Sequence, residues 1–265
     1  MYFSLIRPTL EYSDVVWDNC SEYLKQELES VQVEAARICT GATKYCNIQK
    51  LLNDLKWDTL SERRKQHRLL LFYKMTHGFS PPYMSELIPH NINQTQSDGY
   101  NLRHIRHARA RTQAYSLSFL PKTIREWNQL HITIQNSPDV QSFKNAINKS
   151  KKKSLPIFNC GSRTGQILHT RLRLDCSGLN YDLHRRSLVN SPLCSCGSPE
   201  TIEHFILRCP YYTNLRSHCF ADIRCPITTN NLLNGFDRFS CAENEFLILA
   251  VQRYIIATKR FATYV

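Results

Sequence analysis

Apolar side chains recur at steps of three and four residues over much of the first 90 residues, which is the spacing of amphipathic helices. The longest run begins near Asn19, which has the spacing of a capping box with Glu22, and it ends before Gly41. Its predicted core-facing side chains are Leu24, Leu28, Val31, Ala35 and Ile38. This pattern predicts a long helix that packs on a partner through one face.

Two further helices are predicted in the same region. Apolar side chains over 48–55 indicate a short helix. Thr59 and Glu62 have the spacing of a second capping box, and the helix that they begin is expected to run to Gly78. Its first half is basic and its second half is apolar. Residues 1–90 are therefore predicted to form a unit of three or four helices.

The rest of the chain is also predicted to be helical, with one exception. The alternation over 115–120 is typical of a strand, whereas Trp127 lies on the apolar face of a helix that begins at Pro121. We interpret Trp127 as a core anchor rather than a base-stacking platform. Ser240 and Glu243 form a third capping box, ahead of an apolar C-terminal helix. The fold class predicted for the chain is mostly α.

Composition and cysteine usage are typical of an intracellular protein. Nothing approaches the roughly 18 consecutive apolar residues of a membrane-spanning helix, and the N-terminus lacks the charged and apolar regions of a secretory signal. The 11 cysteines are an odd number, and without a secretory signal a disulfide framework is not expected. We therefore expect reduced thiols and a metal site.

The net charge of +12 is concentrated in the middle of the chain. Residues 91–153 carry eleven basic groups against three acidic ones, whereas residues 1–58 carry an acidic excess. Guanidinium groups bind phosphate oxygens in pairs, so this region is predicted to contact nucleic acid. The predicted contacts are Arg103, Arg106, Arg109, Arg111, Lys151, Lys152 and Lys153. The run 149–153 is also a candidate linker and a weak nuclear import signal; a solvated surface is the alternative interpretation.

Three cysteines and one histidine lie within sixteen residues, with the spacing Cys-x-Cys-x7-His-x4-Cys. These residues are Cys194, Cys196, His204 and Cys209. Four such ligands are what a closed tetrahedral zinc site needs. A Gly-Ser-Pro turn after the first pair lets the chain fold back, and a short helix over 200–208 is expected to carry the histidine. The last cysteine, five residues later, is expected to come from the frayed end of that helix.

Other interpretations of this segment stay open. The cysteines can be buried thiols beside an unrelated surface histidine. His218, Cys219 and Cys225 are possible substitute ligands. A catalytic zinc keeps an open position near a general base, and neither Glu200 nor Glu203 lies in a pattern typical of such bases.

The sequence does not indicate a complete active site of another class. It contains no glycine-rich phosphate-binding loop, and a nucleophilic Cys–His pair has no local signature here. Two-metal nucleotidyl transfer needs clustered carboxylates, and Asp14 and Asp18 come nearest to such a pair without making a convincing one.

Four stretches occur in an order that resembles one family. Residues 4–18 resemble the thumb region that follows the polymerase palm in non-LTR (jockey-like) retrotransposon reverse transcriptases. Residues 68–83 and 120–130 resemble the segments that come next in such chains. Residues 164–212 are similar to the zinc-binding region that closes many of these polyproteins. In that region the matching residues are Glu200, Thr201, His204, Cys209 and Pro210. The step from Cys194 to Cys196 is one residue shorter than in many relatives.

The resemblance implies three parts: a thumb-like helical unit over 1–90, a basic connector over 91–155 and a small helical zinc-binding domain over 156–265. It implies a non-catalytic nucleic-acid-binding fragment of an RNA-directed DNA polymerase, because the palm with its catalytic aspartates is not in this sequence. The expected cofactor is structural Zn²⁺ and the expected partner is RNA or DNA, with neither a membrane nor a small-molecule substrate.

The zinc turn is expected to position further phosphate contacts. These are Arg171, Arg173, Arg185 and Arg208. An intracellular and nuclear location would follow from this role. The alternative function is an inert or domesticated helical adaptor that binds other proteins and no nucleic acid.

Overall fold

The computed structural model describes residues 1–89, 105, 109–148 and 160–262. Over these ranges the chain is mostly helical and forms no β-strand, apart from an isolated bridge between Leu193 and Pro199. The predicted mostly α fold is thus confirmed. None of the described helices is both long enough and apolar enough to cross a membrane.

The helices are named here in chain order. Up to residue 148 they are a π-helical turn (Tyr2–Ile6), α1 (Arg7–Leu10), α2 (Asp14–Trp17), α3 (Glu22–Thr40), α4 (Ile48–Leu55), α5 (Leu60–Thr76), α6 (Pro82–Ser85), α7 (Gln113–Ser116), α8 (Phe119–Asn128), α9 (Ile132–Gln135) and α10 (Val140–Ile147). From residue 160 they are α11 (Arg163–Arg173), α12 (Asn180–Arg185), a π-helical turn (His204–Arg208), a 3₁₀ turn (Pro210–Tyr212), α13 (Thr213–Cys219), α14 (Thr229–Asn234) and α15 (Cys241–Ala257).

The chain divides into two compact units, and each unit is assembled from two segments. Unit 1 comprises Met1–Gln32 and Asp58–Lys152, and unit 2 comprises Val33–Trp57 and Lys153–Val265. These units do not follow the three-part division expected from the sequence, because residues 33–57 pack with C-terminal residues. As a division into independently folding domains, the three-part scheme stays a prediction.

Helix α5 lies at the centre of the unit 1 core. The predicted capping box at its start is present, because Thr59 accepts a hydrogen bond from the Glu62 N–H and Glu62 accepts one from the Thr59 N–H. The rings of Tyr73 and Phe143 stack with their centroids 4.4 Å apart. Trp127 is buried in the same cluster, so its interpretation as a core anchor is confirmed.

The strand predicted over 115–120 is wrong. The Thr112 side chain accepts a hydrogen bond from the Tyr115 N–H and begins α7, and α8 follows after Ser118. Arg125 of α8 donates a 2.7 Å hydrogen bond to the Ser116 carbonyl oxygen, which fixes the end of α7. Local side-chain to backbone bonds therefore override the period-two pattern.

The predicted inner face of α3 is also wrong. Leu24 and Ile38 are 51% and 69% exposed. The residues that α3 buries are Gln32, Val33, Ala36 and Thr40. In unit 1, Gln32 accepts a 2.6 Å hydrogen bond from the Tyr2 hydroxyl and donates one of 2.9 Å to the Asp58 carbonyl oxygen. A buried polar residue with two hydrogen-bond partners marks the inner face here, and hydrophobic periodicity does not detect it.

The core of unit 2 forms between α11, α14 and α15. The capping box predicted at Ser240 and Glu243 begins α15 and is confirmed. Large buried side chains of this core are Leu172, Phe205, Phe220, Leu232, Val251 and Tyr254. The C-terminal end of α3 joins the same unit, because Arg163 of α11 donates hydrogen bonds of 2.9 Å and 2.8 Å to the carbonyl oxygens of Ile38 and Cys39.

Candidate metal centre

The first two cysteines lie on a tight hairpin. The Cys194 N–H donates a 2.8 Å hydrogen bond to the Ser198 carbonyl oxygen, and the Gly197 N–H donates one of 2.9 Å to the Cys194 carbonyl oxygen. Gly197 has a φ of +86°, a left-handed conformation that glycine adopts without strain. The turn predicted from the Gly-Ser-Pro sequence is thus present, and it folds the chain back beside Cys196.

The histidine and the last cysteine are joined by a complete π-helical turn. The Cys209 N–H donates a 2.7 Å hydrogen bond to the His204 carbonyl oxygen, which closes a step of five residues. Cys209 was expected at a frayed α-helical end. The structure instead places it after a π turn, because a five-residue step matches the i to i+5 repeat of that geometry. Such single turns are frequent at functional sites.

The four predicted ligands converge on one point. One donor atom from each of Cys194, Cys196, His204 and Cys209 lies within 4.8 Å of the other three. The Sγ atoms of Cys194 and Cys209 are 3.7 Å apart, and Cys196 Sγ is 3.2 Å from His204 Nε2. In a tetrahedral zinc site these two distances would be about 3.8 Å and 3.5 Å, given the usual zinc–ligand bond lengths. The donor set therefore fits a metal ion.

Burial separates these donors from solvent. Cys194, His204 and Cys209 are buried, and Cys196 is half-buried. Burial raises the pKa of the Cys194 thiol to about 11. A hydrogen bond from the backbone N–H of Ser198 is the main cause that lowers the pKa of the Cys196 thiol. Since thiolates are the metal-binding form, a metal ion must displace the proton of the buried Cys194.

Helices α13 and α15 hold the backbone around the ligands. Arg216 of α13 donates a 2.6 Å hydrogen bond to the Cys209 carbonyl oxygen. Tyr254 of α15 donates a buried hydrogen bond to the carbonyl oxygen of Phe205, the residue after His204. Sequence reasoning missed both residues. Arg216 is close to the motif in sequence, seven residues after Cys209, whereas Tyr254 is distant from it and no local signal indicates its contact.

The possible substitute ligands lie elsewhere in unit 2. Cys219 and Cys225 are buried in the apolar core beside Phe220 and Leu232, and His218 is exposed. In the part of the chain that the structure describes, the cluster of donors able to hold a metal ion comprises the four residues expected from the motif.

The predicted phosphate contacts in unit 2 differ in their surroundings. Arg173 forms a 2.6 Å ion pair with Asp54 and its side chain is only 6% exposed. Arg171 donates a hydrogen bond of 2.9 Å to the Gly41 carbonyl oxygen. Arg185 and Arg208 are exposed, and Arg208 pairs with Glu203.

In unit 1, Arg109 and Arg111 are exposed. Arg103, Arg106, Lys151, Lys152 and Lys153 lie outside the described residues. A role of any of these basic groups in nucleic-acid binding stays a prediction.

The carboxylates considered for two-metal chemistry are engaged in ion pairs. Asp14 pairs with His67, with Oδ2 and Nδ1 2.6 Å apart. Asp18 pairs with Arg64 at 2.9 Å and with Lys122 at 2.6 Å. Each carboxylate thus has a cationic or imidazole partner from another helix of unit 1.

A comparison with known proteins finds a partial similarity to a retrotransposon polyprotein. A stretch of 39 residues is 46% identical to the retrovirus-related Pol polyprotein from the type-1 retrotransposable element R1 of Bradysia coprophila. The stretch is 14% of this chain and 4% of that polyprotein. No protein-family model and no solved structure matches the chain. The similarity agrees with the expected kinship to retrotransposon polyproteins, over a small part of the sequence.

Proposed function

We propose that this chain is a zinc-stabilised, nucleic-acid-binding part of a retrotransposon reverse transcriptase and that it is not itself a polymerase. The observation that carries the proposal is the convergence of three thiols and one imidazole within 4.8 Å. The similarity to a retrotransposon Pol polyprotein supports the same origin. A nuclear location stays a prediction of this proposal.

Zinc is the metal that this donor set favours. Three soft thiolates and one imidazole in tetrahedral arrangement are typical of structural zinc sites. A catalytic zinc would keep one position for water, whereas all four donors here come from the protein. The carboxylate of Glu203, the residue before His204, pairs with Arg208 at 2.6 Å. These features support a structural role for the ion.

Metal analysis of the reduced protein tests the zinc proposal. One zinc per chain is expected, and the double substitution Cys194→Ala with Cys196→Ala should abolish it, because two ligands cannot hold a structural ion. Cys219→Ala with Cys225→Ala is the matched control, since it removes two other thiols of unit 2, both of them buried, and leaves the cluster intact. Absence of zinc from the reduced wild type, or equal loss in both variants, would contradict the proposal.

The exposed arginines are the proposed phosphate contacts. In unit 2 these are Arg185 and Arg208, which are exposed although they pair with Asp182 and Glu203. Arg171 donates to the Gly41 carbonyl oxygen and the Arg173 side chain is only 6% exposed, so both are assigned a structural role. In unit 1 they are Arg109 and Arg111. The high net charge of +12 supports attraction to a polyanion.

Salt-dependent binding of short RNA and DNA tests this second part. Affinity should fall steeply with salt, and removing Arg185 and Arg208 together should lower the slope of log K against log salt by about 2. Arg238→Gln with Arg253→Gln is the control, because it removes two exposed arginines outside the proposed contacts. An affinity that does not respond to salt would rule out phosphate binding.

The alternative is a protein–protein adaptor. Exposed apolar side chains near the start of unit 1, among them Tyr12, Val16 and Tyr23, favour it. Failure to bind any nucleic acid, with one zinc per chain present, would support the adaptor.

A further inference from the structure

One buried carboxylate lies between the cysteine hairpin and the π-helical turn. Glu200 is only 2% exposed. Its Oε1 accepts a 2.6 Å hydrogen bond from Arg260 Nε, and its Oε2 accepts one of 2.7 Å from Arg260 Nη2. Arg260 follows α15, sixty residues later in the chain. This paired geometry fixes both position and orientation of the two groups.

Asn180, at the start of α12, joins the same network. Its backbone N–H donates a 2.6 Å hydrogen bond to Glu200 Oε2, and its side-chain Oδ1 accepts one of 3.0 Å from Arg260. Its side-chain Nδ2 donates a 2.7 Å hydrogen bond to the carbonyl oxygen of Leu193. Leu193 directly precedes Cys194, so Asn180 contacts the incoming side of the hairpin.

The network therefore holds both sides of the cysteine hairpin. Leu193 lies before the hairpin and Glu200 lies after it, and the Glu200 N–H closes its base with a 2.8 Å hydrogen bond to the Pro192 carbonyl oxygen. Without this support, the two sides could separate and carry Cys194 away from the other donors. A ligand that is held in place loses less conformational freedom when a metal binds.

We propose that Asn180, Glu200 and Arg260 are positioning residues for the metal centre, and that they couple metal affinity to the docking of the segment after α15. We call these three residues the clasp. The inference rests on the proposed metal centre and adds to it a dependence on a residue far from the motif. Coupling is reciprocal, so a bound metal also favours the docked position of Arg260.

Titration with Co²⁺, followed by competition with Zn²⁺, tests the clasp on the full chain. Arg260→Gln should weaken metal affinity by about 10- to 100-fold, the range for residues that orient metal ligands. Its cobalt–thiolate absorption at saturation should match that of the wild type, since the four ligands are unchanged. Arg253→Gln is the matched control, because it removes an exposed arginine of α15 seven residues earlier. Arg253→Gln should leave the metal affinity within about threefold of that of the wild type, since single solvent-exposed charges have small energetic effects.

Arg260→Lys keeps the test decisive if Arg260→Gln does not fold. Lysine retains the charge but not the paired hydrogen bonds, so an intermediate affinity is expected. A residue that only stabilised the fold would lower the melting temperature equally with and without metal and would leave affinity unchanged. Affinities of Arg260→Lys and Arg253→Gln that both equal wild type would overturn the clasp.

Hydrogen exchange at residues 258–262 gives a second readout. Metal should slow exchange in this segment of the wild type, and the effect should be smaller in Arg260→Lys, in proportion to its weaker metal affinity. Exchange that does not respond to metal would overturn the coupling. If the wild type binds neither Co²⁺ nor Zn²⁺, the proposed metal centre itself fails. If the wild type binds metal and the Arg260 variants bind it equally tightly, the metal centre stands and the clasp fails.

Discussion

The hydroxyl of Tyr254 donates a 2.5 Å hydrogen bond to the carbonyl oxygen of Phe205, the residue that follows His204. Tyr254 and Phe205 are both fully buried, and their ring centroids are 5.6 Å apart. One residue of the longest C-terminal helix thus contacts the π-helical turn through both its ring and its hydroxyl. The polar contact satisfies a carbonyl group that has no access to water.

Tyr254→Phe should therefore lower the free energy of unfolding of unit 2 by about 1–3 kcal/mol, because a buried carbonyl loses its donor. Urea unfolding followed by circular dichroism measures the change. Tyr211→Phe removes the hydroxyl of an exposed tyrosine and serves as the control. If the two variants unfold at the same urea concentration, the hydroxyl of Tyr254 contributes nothing to stability.

Removal of the metal should loosen the ligand segment selectively. A chelator should accelerate hydrogen exchange over 194–209, because the hairpin and the π-helical turn are then joined mainly by hydrogen bonds. Helix α5 of unit 1 serves as the internal reference and should show the same exchange before and after chelation. Identical exchange over 194–209 in both conditions would mean that no metal holds this segment.

The helix starts show how far local sequence determines this fold. The capping boxes at Thr59 and Ser240 were predicted from residues three apart, and both are present. At α3 the same rule selected Asn19, whereas the helix begins at Glu22 and the Ser21 hydroxyl accepts the hydrogen bond of the Leu24 N–H. Caps are local, so sequence predicts them to within about two residues.

The ligand cluster was predictable for the same reason, and its surroundings were not. Cys194, Cys196, His204 and Cys209 lie on one continuous segment, and their side chains suit one metal. Arg260 contacts Glu200 because the segment that follows α15 lies beside the hairpin. A contact across sixty residues depends on packing, which residue spacing does not encode.

In unit 1 the buried carboxylate of Asp18 is surrounded by basic side chains, and a substitution can test how much these ion pairs stabilise the unit. It accepts hydrogen bonds from Arg64, Arg68 and Lys122, and Arg68 also pairs with Glu126 at 2.8 Å. Asp18→Asn should destabilise unit 1 by about 3–5 kcal/mol, because it leaves buried cations without their counter-charge. Chemical unfolding monitored by hydrogen exchange in α5 measures this.

An exposed pair in the same unit provides the comparison. Glu22 and Lys25 are 2.7 Å apart on α3, and the Glu22 side chain is well solvated. Glu22→Gln should change stability little, since solvent screens such pairs. If Asp18→Asn and Glu22→Gln lower the free energy of unfolding of unit 1 by similar amounts, the buried ion pairs of Asp18 stabilise the unit no more than an exposed pair does.

His169 of α11 makes the stability of unit 2 sensitive to acid. Burial, together with the nearby Arg173 charge, lowers its pKa from 6.5 to about 3. Between these values the unfolded chain binds a proton that the folded chain does not. Stability that is present above pH 6.5 is therefore lost as the pH falls, by about 1.4 kcal/mol for each pH unit.

His169→Gln should remove this dependence. The free-energy difference between wild type and variant should shift by about 2–3 kcal/mol in favour of the variant between pH 7 and pH 4.5. Guanidinium unfolding at the two pH values measures the shift. His218→Gln, at an exposed histidine, should follow the wild type at both. If the free energy of unfolding falls by the same amount between pH 7 and pH 4.5 in the wild type, His169→Gln and His218→Gln, His169 is not the titrating group.

The π-helical turn has a consequence for insertions and deletions. Because the Cys209 N–H bonds to the His204 carbonyl oxygen five residues back, the length of 205–208 is set by backbone geometry. Deleting one residue would rotate the position of Cys209 by roughly a quarter of a turn around the helix axis and point its sulfur away from the cluster. A substitution of the exposed Arg208, by comparison, leaves the spacing between His204 and Cys209 unchanged. In this segment, the number of residues is a stricter requirement than the identity of those facing solvent.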